Sequence, residues 1–134
     1  MKRLIIICEG QTEMEFCKDV VNPHLMSKNI FVQTPLVKKS GGGIVPWNNL
    51  KKQIKNHLLE QNVFVTTFID YYGIPNNYDF PKWHESKVIS NKIKRMDFLE
   101  AEMKLDLENN ERFIPYIQLH KFEGLLFNNI EVFD

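Results

Sequence analysis

Four stretches of the chain carry strand-like patterns, and the stretches between them carry helical ones. Residues 3–8, RLIIIC, are apolar without alternation, as in a strand covered on both faces. Residues 12–28 place Phe16, Val20, Val21 and Leu25 at helical spacing. Thr12 can cap this helix, with Glu15 three residues on, and Pro23 should kink or shorten it. Residues 30–37, IFVQTPLV, read as a second strand, which Pro35 marks as marginal or near an edge. KKSGGG at 38–43 is a loop. A helix is expected over 46–61, with Pro46 in its first turn and Trp47, Leu50, Ile54 and Leu58 on one face. VFVTTFID at 63–70 is a third strand, rich in β-branched and aromatic residues.

The Gly, Pro and Asn residues of 71–81 predict a loop, and 84–109 a charged helix with Ile89, Ile93, Met96, Leu99 and Met103 as its buried stripe. RFIPYIQL at 112–119 is a fourth strand, and 122–128 a short helix or turn. The order β-α-β-α-β-α-β predicts an α/β fold: a mainly parallel four-stranded sheet flanked by helices, in one domain over 1–134. In such sheets ligands bind outside the carboxyl ends of the strands. Glu9 and Glu13 follow the first strand, Asp70 ends the third, and His120 and Glu123 follow the fourth.

Composition narrows the class of partner. Seventeen Lys and Arg balance seventeen Asp and Glu, which argues against coating nucleic acid by bulk charge but leaves room for a local basic groove. The hydrophobic share of 43% suits a globular core. Cys8 and Cys17 lack metal-ligand spacing and read as reduced thiols of a cytoplasmic protein. The apolar run Leu4–Cys8 is too short for a signal core or a membrane span.

Carboxylates converging on one edge repel one another, and a divalent cation relieves that repulsion. Oxygen ligands without a His or Cys cluster favour Mg²⁺ or Mn²⁺, which activate water or polarise a phosphoryl oxygen. Gly10 leaves room for backbone to approach a phosphate at the start of the first helix. Lys38 and Lys39 beside three glycines read either as a phosphate grip, without the order of a P-loop, or as a flexible turn with solvated lysines. Tyr71, Tyr72, Tyr78, Phe80 and Trp83 offer either base stacking or loop packing, and Lys87, Lys92, Lys94 and Arg95 either a basic face or a solvated helix. Each acid also has a plainer role: Glu9 as a solvated strand end, Glu13, Glu15 and Glu123 as first-turn helix acids, Asp70 as a turn cap. His120 alone reads first as a structural histidine.

EGQTE after the first strand, FIDYYGIP after the third and YIQLHKFEGLLF near the end resemble the Toprim-related bacterial proteins of domain-of-unknown-function family 4276. The resemblance covers nearly the whole chain and implies a Rossmann-like Toprim fold. It matches Glu9 to the Toprim glutamate, a general acid/base in strand transfer or a metal holder in nucleases. It matches Asp70 to the first aspartate of a Mg²⁺-binding D-x-D motif, and Glu13 and Glu123 to further metal or water ligands. Gly10, Lys38, Lys39 and His120 become candidates for nucleic-acid or phosphate contact. Departures stand beside these matches: the D-x-D reads Asp70-Tyr71-Tyr72, Lys121 and Gly124 replace the usual Glu and Ala, and the family usually extends further, so a C-terminally truncated form is expected.

The function implied is a Mg²⁺- or Mn²⁺-dependent phosphodiesterase on DNA or RNA, in phage defence or a mobile element, beside an ATPase partner. The alternative is an inactive Toprim-like module that binds an ATPase or nucleic acid. A nucleotide binder using the same edge ranks third, for want of P-loop or Rossmann glycines. Phe127, Ile130, Val132 and Phe133 near the C-terminus suggest a surface meant for further residues or a partner, including a second copy in a homo-oligomer.

Overall fold

The computed structural model describes residues 2–37 and 43–119. Strands β1 (Lys2–Cys8), β2 (Ile30–Gln33), β3 (Val63–Asp70), β4 (Phe113–Ile114) and β5 (Ile117–Gln118) form one sheet, in which every pairing is parallel. The order is β2-β1-β3-β4, with β5 also on β3. The last two strands are the single predicted strand 112–119, broken at Pro115. Val65 pairs with Phe113 and Ile69 with Ile117, so the register runs unchanged across the break. Pro115 has no N–H for the ladder. Beside it the buried Thr67 hydroxyl donates to the Tyr116 carbonyl (2.8 Å) and accepts from the Tyr116 N–H (3.1 Å).

Between β1 and β2 the chain forms α1 (Gln11–Phe16), a π-helical turn (Cys17–Val21) and α2 (Asn22–Met26) as one continuous run. The expected capping box is absent: Gly10 is the N-cap, without a side-chain cap, and Thr12 lies inside the helix. Pro23 sits in the first turn of α2 and does not end the run, which stops at Met26 rather than at 28. The π turn precedes it directly, where the proline ring would otherwise meet a carbonyl one turn back. Strand β2 is an edge strand, as Pro35 predicted, but it ends at Gln33. Beyond it, Cys8 N–H donates to the Pro35 carbonyl (2.8 Å) and Val37 N–H to the Cys8 carbonyl (3.0 Å).

Helix α3 (Trp47–Leu58) buries the four predicted residues Trp47, Leu50, Ile54 and Leu58, with Pro46 as its N-cap rather than in its first turn. The predicted helix over 84–109 divides into α4 (Trp83–Ser86) and α5 (Lys92–Asp106). Asn91 starts α5 by accepting from Lys94 N–H (3.0 Å). Met96, Leu99 and Met103 are buried as expected, whereas Ile93, in the first turn of α5, is 68% exposed.

The two faces of the sheet carry separate cores. Ile5, Ile7, Val63, Val65 and Ile69 pack against α3, α4 and α5. Leu4, Ile6, Cys8 and Val32 pack against Cys17, Met14, Val21 and Leu25 of the first helical run. This second layer covers β1 and β2 but leaves Phe64, Thr66 and Phe68 of β3 half-buried and Ile114 exposed, among the described residues. Arg112 ties the opposite, amino-terminal edge together. Its guanidinium donates to the carbonyls of Leu58 (2.8 Å), Glu60 (2.9 Å) and Val63 (3.1 Å), joining the end of α3 to the start of β3. No helix among the described residues is long and apolar enough to cross a membrane.

Candidate functional site: a carboxylate edge at the switch point of the sheet

Strand β1 lies between β2 and β3, so the chain leaves it towards one side and returns on the other. The carboxyl ends of β1 and β3 at such a reversal are the usual ligand position in open parallel sheets. Glu9 follows β1 and Asp70 ends β3 at this edge. The Asp70 backbone N–H donates to Glu9 Oε1 (3.1 Å), and Glu9 N–H donates to the Phe68 carbonyl (3.1 Å).

Glu9 is partly buried, and burial is the main cause that raises its pKa. The hydrogen bond from Asp70 N–H opposes this, while the charges of Glu13 and Asp70 push in the same direction as burial. Gly10 is extended (φ −151°, ψ −174°), and a side chain there would bring its Cβ within 3.3 Å of Glu13 Oε2. The glycine thus leaves room for the Glu13 carboxylate beside it.

Asp70 Oδ1 accepts from Tyr72 N–H (3.1 Å) and caps a 3₁₀ turn, Tyr71–Gly73. The plainer role, a turn cap, is real and occupies one oxygen of this carboxylate. Both described flanks of the glycine-rich loop are fastened to the same strand end. Val37 N–H reaches the Cys8 carbonyl, and Gly43 N–H, at φ +89°, reaches the Glu9 carbonyl (3.2 Å). Lys38, Lys39, His120 and Glu123 lie outside the described residues.

Among the described residues no group of three or more His, Cys, Asp or Glu is arranged to hold a metal ion. The donor set nonetheless fits Mg²⁺ or Mn²⁺, which is commonly held by one or two carboxylates with water completing the shell. Glu9 and Asp70 would be those carboxylates, with Glu13 next to them. Cys8 and Cys17 are free and buried beneath this edge, their sulfurs 4.0 Å apart. The hydrogen bond with Cys17 and burial push the Cys8 thiol up, so Cys8 is a protonated packing residue.

The sequence gives no sign of Gln118. It is buried, pairs in register with Asp70, and its Oε1 accepts from the Tyr116 hydroxyl. Glu100 was also missed: its Oε2 accepts from Ile117 N–H (2.8 Å) and holds β5 against β3. A charged helix position gives no periodic signal of such a tertiary bond. The aromatic group also resolves. Tyr71, Phe80 and Trp83 are buried and Tyr78 packs on the core, while Tyr72 stays exposed. Burial raises the Tyr71 pKa, but hydrogen bonds from Arg95 (3.2 Å) and Lys87 (3.4 Å), with their charges, outweigh it and hold the phenol below its ordinary value.

The family model described as Domain of unknown function (DUF4276) matches residues 8–134. The chain belongs to that family. No curated protein and no solved structure matches it. The DUF4276 match begins at Cys8, the last residue before Glu9, and takes in the whole carboxylate edge.

Proposed function

We propose that this DUF4276 chain is a Toprim-like phosphodiesterase that uses Mg²⁺ or Mn²⁺ to cleave DNA or RNA. The observation that carries the reading is the meeting of Glu9 and Asp70 at the switch point, with Glu9 held back from ionising by burial and by its acidic neighbours. A bound divalent cation would supply Lewis-acid polarisation of a phosphoryl oxygen or a more acidic water. Glu9, fixed by Asp70 N–H, is the residue suited to hold or move a proton; Asp70, fixed by Tyr72 N–H, is suited to orient the ion. The Toprim and nuclease relationship, the ATPase partner, the role in phage defence and the cytoplasmic setting belong to the same proposal and rest on the motif resemblance.

Cleavage of supercoiled and single-stranded DNA, and of RNA, should appear with Mg²⁺ or Mn²⁺ and vanish with EDTA. Glu9→Gln should lower the rate about a hundredfold or more, in the range lost with a proton-transfer group, and Asp70→Asn should raise the metal concentration required. Unchanged rates in both variants would refute the assignment.

A second reading has its own support. Tyr72 stands where a second D-x-D aspartate would be, and one Asp70 oxygen is spent on a turn. Both favour a binding module without chemistry, for nucleic acid or an ATPase. Stoichiometric metal binding together with cleavage would dispose of it.

A further inference from the structure

We infer that the turn after β3 and the start of α5 form a track for single-stranded nucleic acid, with Tyr72 stacking on a base and Lys87, Lys92 and Arg95 contacting phosphates. The inference deepens the proposed function, since it rests on a nucleic-acid substrate at the adjoining carboxylate edge. The cations are held by rings and neutral oxygens rather than by acids. Lys87 Nζ lies 4.5 Å from the Trp83 ring centroid and 5.5 Å from that of Tyr71. Lys92 Nζ lies 5.7 Å from the Tyr72 ring centroid. Arg95 donates from Nε (2.9 Å) and Nη2 (2.7 Å) to the Ile89 carbonyl and from Nη1 to the Tyr71 hydroxyl.

A ring face attracts a cation without cancelling its charge. The ion pairs among the described residues are Arg3–Glu60, Lys51–Asp106 and Lys82–Glu85, none of which involves these three cations. Helix α5 adds to the positive field. The first turn of this 15-residue helix has no acid and begins with Lys92 and Lys94, where the helix dipole already favours negative charge. An arriving phosphate would relieve that repulsion.

Tyr72 selects the form of the polyanion. It is 51% exposed, and its ring meets the buried Tyr71 ring edge-on, with centroids 5.1 Å apart at 74°. A half-exposed ring of this kind stacks on an unpaired base once Lys92 swings from over the ring to a phosphate, while a duplex keeps its bases covered. The Tyr72 backbone N–H is bonded to Asp70 Oδ1, so a base stacked on Tyr72 lies beside the carboxylate edge.

The test is fluorescence anisotropy of a labelled thymidine oligonucleotide, in EDTA, over a series of salt concentrations. Wild-type protein should bind. Tyr72→Ala should weaken binding by roughly tenfold with the salt slope unchanged. Lys92→Gln should weaken it and make the slope of log K against log salt shallower by about 0.7. Lys52→Gln, on the exposed side of α3, should bind like wild type, and thermal melts of all variants should coincide. No wild-type binding, equal loss in Lys52→Gln and Lys92→Gln, an unaffected Tyr72→Ala, or equally tight binding of a duplex would each overturn the track. Because EDTA removes metal, failure of metal-dependent cleavage leaves this result standing, and loss of the track leaves cleavage standing.

Discussion

Two partly buried carboxylates, Glu9 and Glu100, ionise later than exposed ones would, and Glu100 gives the cleaner stability measurement because it lies away from the proposed metal. Burial raises its pKa most, the Ile117 N–H bond opposes this, and Asp97 adds repulsion. A raised folded-state pKa means that the carboxyl releases its proton more readily in the unfolded chain. Its contribution to stability is therefore complete below the ordinary carboxylate range and is lost as pH rises through the folded value. Glu100→Gln removes the ionisation while keeping an acceptor for Ile117 N–H. Its melting temperature relative to wild type should be higher at pH 7 than at pH 4. A difference independent of pH would contradict the assigned cause. Glu100 also shows what single residues conceal in sequence. Glu9 and Asp70 could be found because each ends an apolar run, whereas Glu100 and Gln118 gain their roles only when α5 and β5 meet β3.

Elements with strong periodicity were legible, and those broken by one local interaction were not. Strand β3 falls on the predicted 63–70, because its β-branched and aromatic run ends sharply at a turn. The four buried residues of α3 were readable for the same reason. The division of 84–109 was not, since Ile89 and Ile93 keep helical spacing across a boundary that Asn91 sets. Pro115 likewise interrupts a strand without shifting its register, because Thr67 supplies a substitute partner. Arg112 is the tie between α3 and β3. Arg112→Ala should cost about 2–3 kcal/mol, the scale of hydrogen bonds to a charged group, read as a lower denaturant midpoint. Since the tie is at the edge opposite Glu9, metal affinity should not change; a stability change under about 0.5 kcal/mol would mean that water replaces the guanidinium.

Across the whole molecule, the strand order places Glu9 beside Asp70. Sequence could predict a parallel sheet and a shared carboxyl edge, but the order β2-β1-β3-β4 is what makes β1 and β3 neighbours. The same arrangement sets Tyr72 and the cations of α4 and α5 next to that edge, which no linear spacing shows. The most direct test is calorimetric titration of Mn²⁺ into wild type and Glu9→Gln at neutral pH. The predicted result is a stoichiometric site in wild type and a loss of that site in the variant. Equal binding in both, or none in wild type, would contradict a metal-binding carboxylate edge.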